Sequence, residues 1–153
     1  MNPRTKVLLF GGDGGGSAVA DAGLLVLRLA AGLALAFGHG LGKIPPAEGF
    51  VQGVAGMGFP LPGLFAWAAA LAEFGGGLLI ALGLLTRPAA LFVLFTMGVA
   101  FFVTHAADPF ADRELAFFYG VVAVVLLLTG AGRYALDAMF QRRTNSGYVA
   151  RYR

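Results

Sequence analysis

The stretch AWAAALAEFGGGLLIALGLL, residues 66–85, decides the fold class of this chain, and it contains a single charged side chain, Glu73. An α-helix rises 1.5 Å per residue, so about 20 apolar residues are enough to cross a hydrocarbon core of roughly 30 Å. A charged side chain at the centre of such a helix costs roughly 2.5–3.5 kcal/mol on insertion scales. Glu73 therefore needs a partner or a function that justifies its place.

The composition of the whole chain agrees with a membrane protein. Of its 153 residues, 58% are hydrophobic and 12% are charged, whereas a soluble domain has roughly 45–50% apolar and about 25% charged residues. All seven prolines lie outside four apolar segments, the last of which is the shortest. We predict an all-α membrane protein folded as a four-helix antiparallel transmembrane bundle, with spans at Ala22–His39, Gly63–Leu85, Ala89–His105 and Leu115–Thr129.

The basic residues predict the orientation and the domain limits. Eight of the eleven Lys and Arg side chains lie before the first span, in the turn after the second, or beyond the fourth. The positive-inside rule therefore predicts that the N and C termini are both cytoplasmic. We predict a flexible leader at 1–21, the transmembrane domain at 22–137 and a basic cytoplasmic tail at 138–153. The net charge of +3 fits a tail beside anionic lipid and requires no nucleic acid.

The connections between the spans carry two further signals. Pro88 suits the first turn of a helix, so the second and third spans should form a tight hairpin. In the longer loop after the first span, Phe50, Val51, Val54 and Met57 recur at helical spacing and predict a short helix lying at the membrane interface.

Two charged residues lie well inside the apolar spans, Arg28 in the first and Glu73 in the second. Such residues usually face the bundle interior and pair with each other. The predicted topology offsets them by roughly 7 Å along the bundle at 1.5 Å per residue, so we expect an Arg28–Glu73 ion pair. The pair would either fix helix register or relay protons, and the sequence leaves both roles open.

A second polar group is expected at the outer end of the bundle. His39 and Lys43 end the first span, His105 ends the third and Glu114 begins the fourth. If these four residues lie at the same depth, they could bind a polar head group beneath an apolar layer rich in phenylalanine. Two histidines and one carboxylate are a weak signal for a metal, and no metal site is predicted. The chain has no cysteine, which excludes thiolate ligation and disulfide exchange within it.

The chain resembles the DoxX family of small bacterial and archaeal four-helix membrane proteins. The resemblance rests on LRLAAGLALAFGHGLGKI, AEFGGGLLIALGLLTRPAAL, VTH, RELAFFY and GAGRYALD, in this order, and covers about Leu24 to Asp137. It implies a location in the cytoplasmic (inner) membrane and a relation to a thiosulfate:quinone oxidoreductase subunit, and some members are linked to oxidative-stress complexes. The family's polar positions match Arg28, His39, Lys43, Glu73, His105 and Glu114. One element differs from the family pattern: residues 130–132 read GAG where the family has G-P-G.

Three functions remain open at this point. The first is a redox subunit that binds a membrane quinone, with Glu73 and His105 as catalytic residues and Arg28, His39, Lys43 and Glu114 as ligand-binding residues. No flavin, haem or iron–sulfur motif is present, so its electrons would come from a soluble oxidoreductase partner. The second is a small-solute or proton transporter, and the third is an assembly subunit without catalysis. Glycine-rich helix faces are also compatible with a homo-oligomer in the lipid bilayer.

Overall fold

A computed structural model of the chain describes residues 17–140, and this part is helical, with no strand. Residues 1–16 of the predicted leader (1–21) and residues 141–153 of the predicted tail (138–153) lie outside the described residues, whereas residues 18–21 belong to the first helix. The helices are α1 (Ala18–Leu35), which continues through a π-helical turn (Ala36–Gly40) and a 3-10 turn (Leu41–Lys43), then α2 (Glu48–Gly56), α3 (Pro62–Leu82), α4 (Thr86–Val99), which continues through a π-helical turn (Ala100–Thr104), and α5 (Phe110–Thr129).

Three of these helical segments are long and apolar enough to cross a membrane: Ala18–Lys43, Pro62–Leu82 and Thr86–Thr104. They correspond to the first three predicted spans. The fourth predicted span is also a helix, but α5 begins at Phe110, five residues before the predicted start. Its first turns carry Asp112, Arg113 and Glu114. Because of these three charges, α5 is not among the helices that are apolar enough to cross a membrane by composition.

Local sequence signals account for the helix ends. The Ser17 side chain accepts a hydrogen bond from the backbone N–H of Ala20 and caps α1, as expected for serine at an N-cap. Gly83 ends α3 in the left-handed conformation, with φ of 66°, which glycine adopts without steric cost. Pro88 lies in the first turn of α4. The predicted tight hairpin between the second and third spans is therefore confirmed.

Glycines determine how closely α1 and α3 approach. A Cβ atom added at Gly32 would lie 2.5 Å from the Gly77 carbonyl oxygen, and one added at Gly40 would lie 2.3 Å from the Phe74 backbone nitrogen. Small residues at such contacts let helix backbones pack directly in membrane proteins. Because Gly32 meets the region of Gly77 while Gly40 meets Phe74, the two helices are antiparallel. Their register places Lys43, the end of α1, close to the middle of α3 rather than at its end.

The remaining helices complete the core on the other side of α3. Gly76 packs on Val93 of α4, and α4 in turn packs along α5. Buried side chains from α1, α3, α4 and α5 form one apolar cluster that includes Leu35, Ile80 and Leu126. The short helix α2 contacts α3, and α2, α3 and α4 together line the candidate site.

Candidate functional site: a cavity between α2, α3 and α4

A cavity of about 310 Å³ lies between α2, α3 and α4. Its wall is mostly aromatic and aliphatic, and its polar lining comes from a few side chains, Lys43, Glu73, Thr96, Thr104 and His105. Along α4 the lining runs from Phe92 to His105, a length of about 20 Å at 1.5 Å per residue. The apolar lining residues are Phe50, Val54, Met57, Phe59, Phe65, Ala68, Ala69, Ala72, Phe92, Phe95, Val99 and Ala100.

Lys43 and Glu73 form an ion pair in the wall of this cavity, hereafter the cavity pair. The Lys43 Nζ atom lies 2.6 Å from each carboxylate oxygen of Glu73. The Glu73 side chain is 4% exposed and the Lys43 side chain 34% exposed, so the lysine covers the carboxylate and faces the open space. The Lys43 ammonium also lies 5.6 Å from the centre of the Phe50 ring on α2. The cavity pair therefore joins α1, α2 and α3.

The predicted ion pair between Arg28 and Glu73 is wrong. The Arg28 guanidinium donates hydrogen bonds to the backbone carbonyls of Ala81 and Tyr134. Ala81 lies eight residues after Glu73 on α3, about 12 Å along the helix at 1.5 Å per residue. Span boundaries do not determine the relative depth of two helices, whereas the close contacts of Gly32 and Gly40 with α3 determine the actual register.

Arg28 belongs instead to a second group of polar residues, the terminal cluster, defined as Asp21, Arg28, Thr86, Arg133 and Asp137. The buried Asp137 carboxylate accepts hydrogen bonds from the Leu85 and Thr86 backbone N–H groups and from the Thr86 hydroxyl, at 2.8–3.0 Å. The Asp21 carboxylate pairs with Arg133 at 2.8 Å. Together with Arg28, these contacts fasten residues 130–137 across the ends of α1, α3 and α4.

The four residues expected at the outer end do not form one site. Lys43 and His105 line the cavity, whereas His39 and Glu114 do not. The His39 ring packs edge-on against Tyr119 of α5, with ring centres 5.7 Å apart, and Glu114 is exposed. The reason is again register, because α1 ends near the middle of α3, and His39 therefore lies deeper in the bundle than His105 or Glu114.

His105 has a local partner of its own. Its Nδ1 atom lies 2.7 Å from the Asp108 carboxylate. Because a carboxylate accepts hydrogen bonds, Nδ1 carries the hydrogen of this bond, and Nε2 can contact a second partner. Directly before it, the Thr104 hydroxyl lies 3.3 Å from the Met57 sulfur. This contact joins the end of α2 to α4 at one edge of the cavity.

Sequence reasoning missed that α2 lines the cavity and that His39 packs against Tyr119. The short helix that it predicted in the loop exists as α2, but the apolar side of α2 lines the cavity. Tyr119 was not singled out, although it shares an i, i+3, i+4, i+7 stripe with Val122, Ala123 and Leu126, the spacing of a core-facing helix side. All four are buried, and a tyrosine on such a stripe is the signal that could have pointed to it.

Two π-helical turns lie beside the polar residues of the site. The turn Ala36–Gly40 contains His39 and precedes Lys43, and the turn Ala100–Thr104 precedes His105. Such turns are rare and occur frequently at functional sites. Within residues 17–140, no three His, Asp or Glu side chains come together as a metal ion would require.

A comparison with known proteins gives the family. The family model named DoxX matches residues 23–106. The chain belongs to the DoxX family. It is 32% identical over 131 residues to the protein named "Putative oxidoreductase CatD" of Bacillus subtilis, an alignment that covers 85% of this chain and 96% of that protein.

Two Escherichia coli proteins are similar at the same level. "Inner membrane protein YphA" is 34% identical over 123 residues, which cover 74% of this chain and 87% of YphA. "Inner membrane protein YqjF" is 34% identical over 128 residues, which cover 80% of this chain and 95% of YqjF. No solved structure matches the chain. These relatives and the three apolar helices identify a multi-pass bacterial inner membrane protein.

Proposed function

We propose that this DoxX protein is the membrane subunit of a redox system and that its cavity binds a membrane quinone. The observation that carries the proposal is the location of the cavity pair, a Lys43–Glu73 ion pair in the wall of an elongated apolar cavity near the middle of α3. The name of the Bacillus subtilis relative, which contains the word oxidoreductase, agrees with this reaction class.

The depth of the cavity pair favours a ligand with an uncharged head. A phospholipid keeps its charged head group at the membrane surface, because burying an isolated charge in hydrocarbon is costly. A quinone ring is neutral and dissolves in the hydrocarbon, where it can reach a donor in the middle of the bundle. The aromatic wall provided by Phe92 and Phe95 suits a flat ring and its apolar tail.

The chemistry assigned to the protein is binding and proton handling. Two of the three Lys43 N–H groups are used by the Glu73 oxygens, so the third can donate a hydrogen bond to a quinone carbonyl oxygen. Reduction of a quinone to a quinol takes two electrons and two protons. A soluble reduced oxidoreductase would supply the electrons, and the cavity pair would pass protons to the ring oxygen. Glu73 suits this role because it is the buried carboxylate at the cavity.

The proposal includes a topology in which α1, α3, α4 and α5 all cross the membrane antiparallel, with both termini in the cytoplasm. The bias of Lys and Arg supports this orientation. The natural chain has no cysteine, so single cysteines can be placed at Ala107 and at Tyr134. A membrane-impermeant thiol reagent should label Ala107→Cys from the periplasm and Tyr134→Cys from the cytoplasm. The reverse pattern would contradict the orientation.

Quinone binding is tested by titrating the purified protein with decylubiquinone. Lys43→Ala should weaken binding at least tenfold, and Glu73→Gln should retain binding but lose proton delivery. Glu114→Gln is the matched control because its carboxylate is exposed and lies outside the cavity lining. Decylphosphocholine has the same chain length and a charged head, and it should not compete. An absence of decylubiquinone binding would refute the proposal and favour an assembly subunit.

A further inference from the structure

Two threonine hydroxyl groups line the cavity on the side of α4, and both already donate their hydrogens. The Thr96 hydroxyl lies 3.0 Å from the backbone carbonyl oxygen of Phe92. A carbonyl oxygen only accepts, so the hydrogen of this bond belongs to Thr96. The Thr104 hydroxyl donates to the Met57 sulfur at 3.3 Å. A hydroxyl oxygen keeps lone pairs after its hydrogen is used, so both threonines offer hydrogen-bond acceptors to a ligand.

The wall formed by α3 offers a hydrogen-bond donor instead. Two N–H groups of Lys43 are bonded to the Glu73 carboxylate, and the third is free to donate to a ligand. The Lys43 side chain is 34% exposed, whereas the Glu73 side chain beneath it is 4% exposed. A ligand between α3 and α4 therefore meets a donor on one side and an acceptor on the other.

Thr96 and the cavity pair lie at the same level of the bundle. A Cβ atom added at Gly76 would lie 3.1 Å from a methyl carbon of Val93, which places these two residues side by side. Because α3 and α4 form a tight antiparallel hairpin, Glu73, three residues before Gly76, is level with Thr96, three residues after Val93. Thr104 lies eight residues further along, about 12 Å at 1.5 Å per residue. Thr96 is therefore the hydroxyl that the head of a ligand at the cavity pair would meet.

The two oxidation states of a quinone differ in the hydrogen bonds that they can form. The ring oxygens of a quinone only accept, whereas the hydroxyl groups of a quinol can also donate. With one ring oxygen at the Lys43 ammonium, the other ring oxygen faces α4. A quinone carbonyl would meet the Thr96 oxygen as one acceptor against another, unless Thr96 gave up its bond to Phe92. A quinol hydroxyl would donate to Thr96 without any rearrangement.

We propose that Thr96 makes the cavity selective for the reduced ligand, so that a quinol binds more tightly than the corresponding quinone. The inference rests on the proposed function for the identity of the ligand. One neutral hydrogen bond changes an affinity by a factor of roughly 2 to 12, and we expect about fivefold. Tighter binding of the quinol raises the midpoint potential of the bound couple, by about 20 mV for this factor, since tenfold corresponds to about 30 mV for two electrons. The bound quinone therefore takes electrons from the reduced partner more readily than the free quinone does.

The test measures dissociation constants of decylubiquinone and, under anaerobic conditions with excess reductant, of decylubiquinol. Thr96→Val keeps the shape of the side chain and removes its oxygen, so it should weaken decylubiquinol binding about fivefold without weakening decylubiquinone binding. Thr96→Ser keeps the hydroxyl and should keep the selectivity. Thr129→Val is the matched control, because the Thr129 hydroxyl makes the same bond to the carbonyl four residues before it and lies outside the cavity lining. It should change neither affinity.

Decylubiquinone that binds as tightly as decylubiquinol, or equal losses of both in Thr96→Val, would overturn the inference and leave the proposed function intact. Binding of neither form would refute the proposed function, and the inference with it. If Thr96→Val does not fold, the wild type decides with the dimethyl ether of decylubiquinol, whose ring oxygens accept but cannot donate. The ether should bind no more tightly than decylubiquinone. An ether that binds as tightly as decylubiquinol would contradict donation to Thr96.

Discussion

The cavity pair and the terminal cluster are two solutions to the same problem, a carboxylate buried in an apolar helix bundle. Asp137 in the terminal cluster accepts from two backbone N–H groups and one hydroxyl, all of them held in place by the turn that begins α4. Both oxygens of Glu73 share a single donor, the Lys43 ammonium, on a flexible side chain that is one-third exposed.

The difference separates a structural polar group from one available for chemistry. Three neutral donors hold the Asp137 carboxylate in place, and Asp137 is not among the residues that line the cavity between α2, α3 and α4. The Glu73 carboxylate depends on one cation, and the Lys43 side chain that supplies it faces the cavity, where a ligand could take up part of its donor capacity. A buried polar group held by several hydrogen bonds makes the fold rigid. The predictions below test this division.

The largest effect is expected in the terminal cluster. Arg28→Met removes the donor to the Ala81 and Tyr134 carbonyls while keeping an unbranched side chain of similar reach. Breaking a buried charged contact typically costs about 3–5 kcal/mol, so the variant should unfold at a much lower temperature in detergent or fail to accumulate.

Arg28→Lys should not restore stability, because one ammonium cannot reproduce a planar fork that serves two carbonyls from different segments. Lys43→Met is the matched control in the cavity pair. A greater loss of stability in Lys43→Met than in Arg28→Met would contradict the assignment of the terminal cluster as the structural one.

The second prediction concerns access to the cavity. Met57 and Thr104 meet at the edge where α2 closes on α4, and the chain has no other thiol once both are replaced by cysteine. A short bifunctional thiosulfonate across Met57→Cys/Thr104→Cys should slow decylubiquinone exchange at least tenfold, and a reductant should restore it. The same reagent on either single variant is the control. Unchanged exchange in the linked protein would show that the ligand enters elsewhere.

A double-mutant cycle gives a smaller effect and tests the corrected pairing directly. Glu73→Ala and Lys43→Ala should be coupled by about 1–2 kcal/mol of unfolding free energy, within the range for residues in contact. Glu73→Ala and Arg28→Ala, about 12 Å apart along the bundle, should be additive within about 0.5 kcal/mol. Strong coupling of Glu73 to Arg28 would restore the pairing that the sequence predicted.

Much of the fold follows from local sequence signals. Apolar length predicts the first three spans, Pro88 predicts the α3–α4 hairpin, and helical spacing predicts α2. These features depend on neighbours in the chain, which a sequence displays directly.

The site depends on register, which the sequence displays poorly. Whether Glu73 meets Arg28 or Lys43 is decided by backbone contacts at Gly32 and Gly40, about two turns apart, and a shift of α1 by two turns would reverse the answer. The role of α2 is hidden for a similar reason, since the same apolar stripe can face lipid or line a cavity. Lys43, Glu73 and His105 could be predicted as site residues because their charge or titratable ring is unusual in an apolar chain. Tyr119 does not line the cavity, and its contact with His39 depends on how α1 packs against α5, which the sequence does not display.

The smallest effect should come from His105, and it tests which end of the cavity holds the head of the ligand. Gly76 packs on Val93, so Glu73 lies near the level of Thr96, and His105 is nine residues further along α4, about 13 Å at 1.5 Å per residue. A head bound at the cavity pair cannot reach His105, whose Nδ1 is already bonded to Asp108. His105→Ala should therefore weaken decylubiquinone binding by no more than about threefold, in line with the loss of one weak contact. Glu114→Gln should not change it. If His105→Ala weakened binding more than Lys43→Ala, the head would lie at the His105 end, and the cavity pair would then stabilise the bundle rather than bind the ligand.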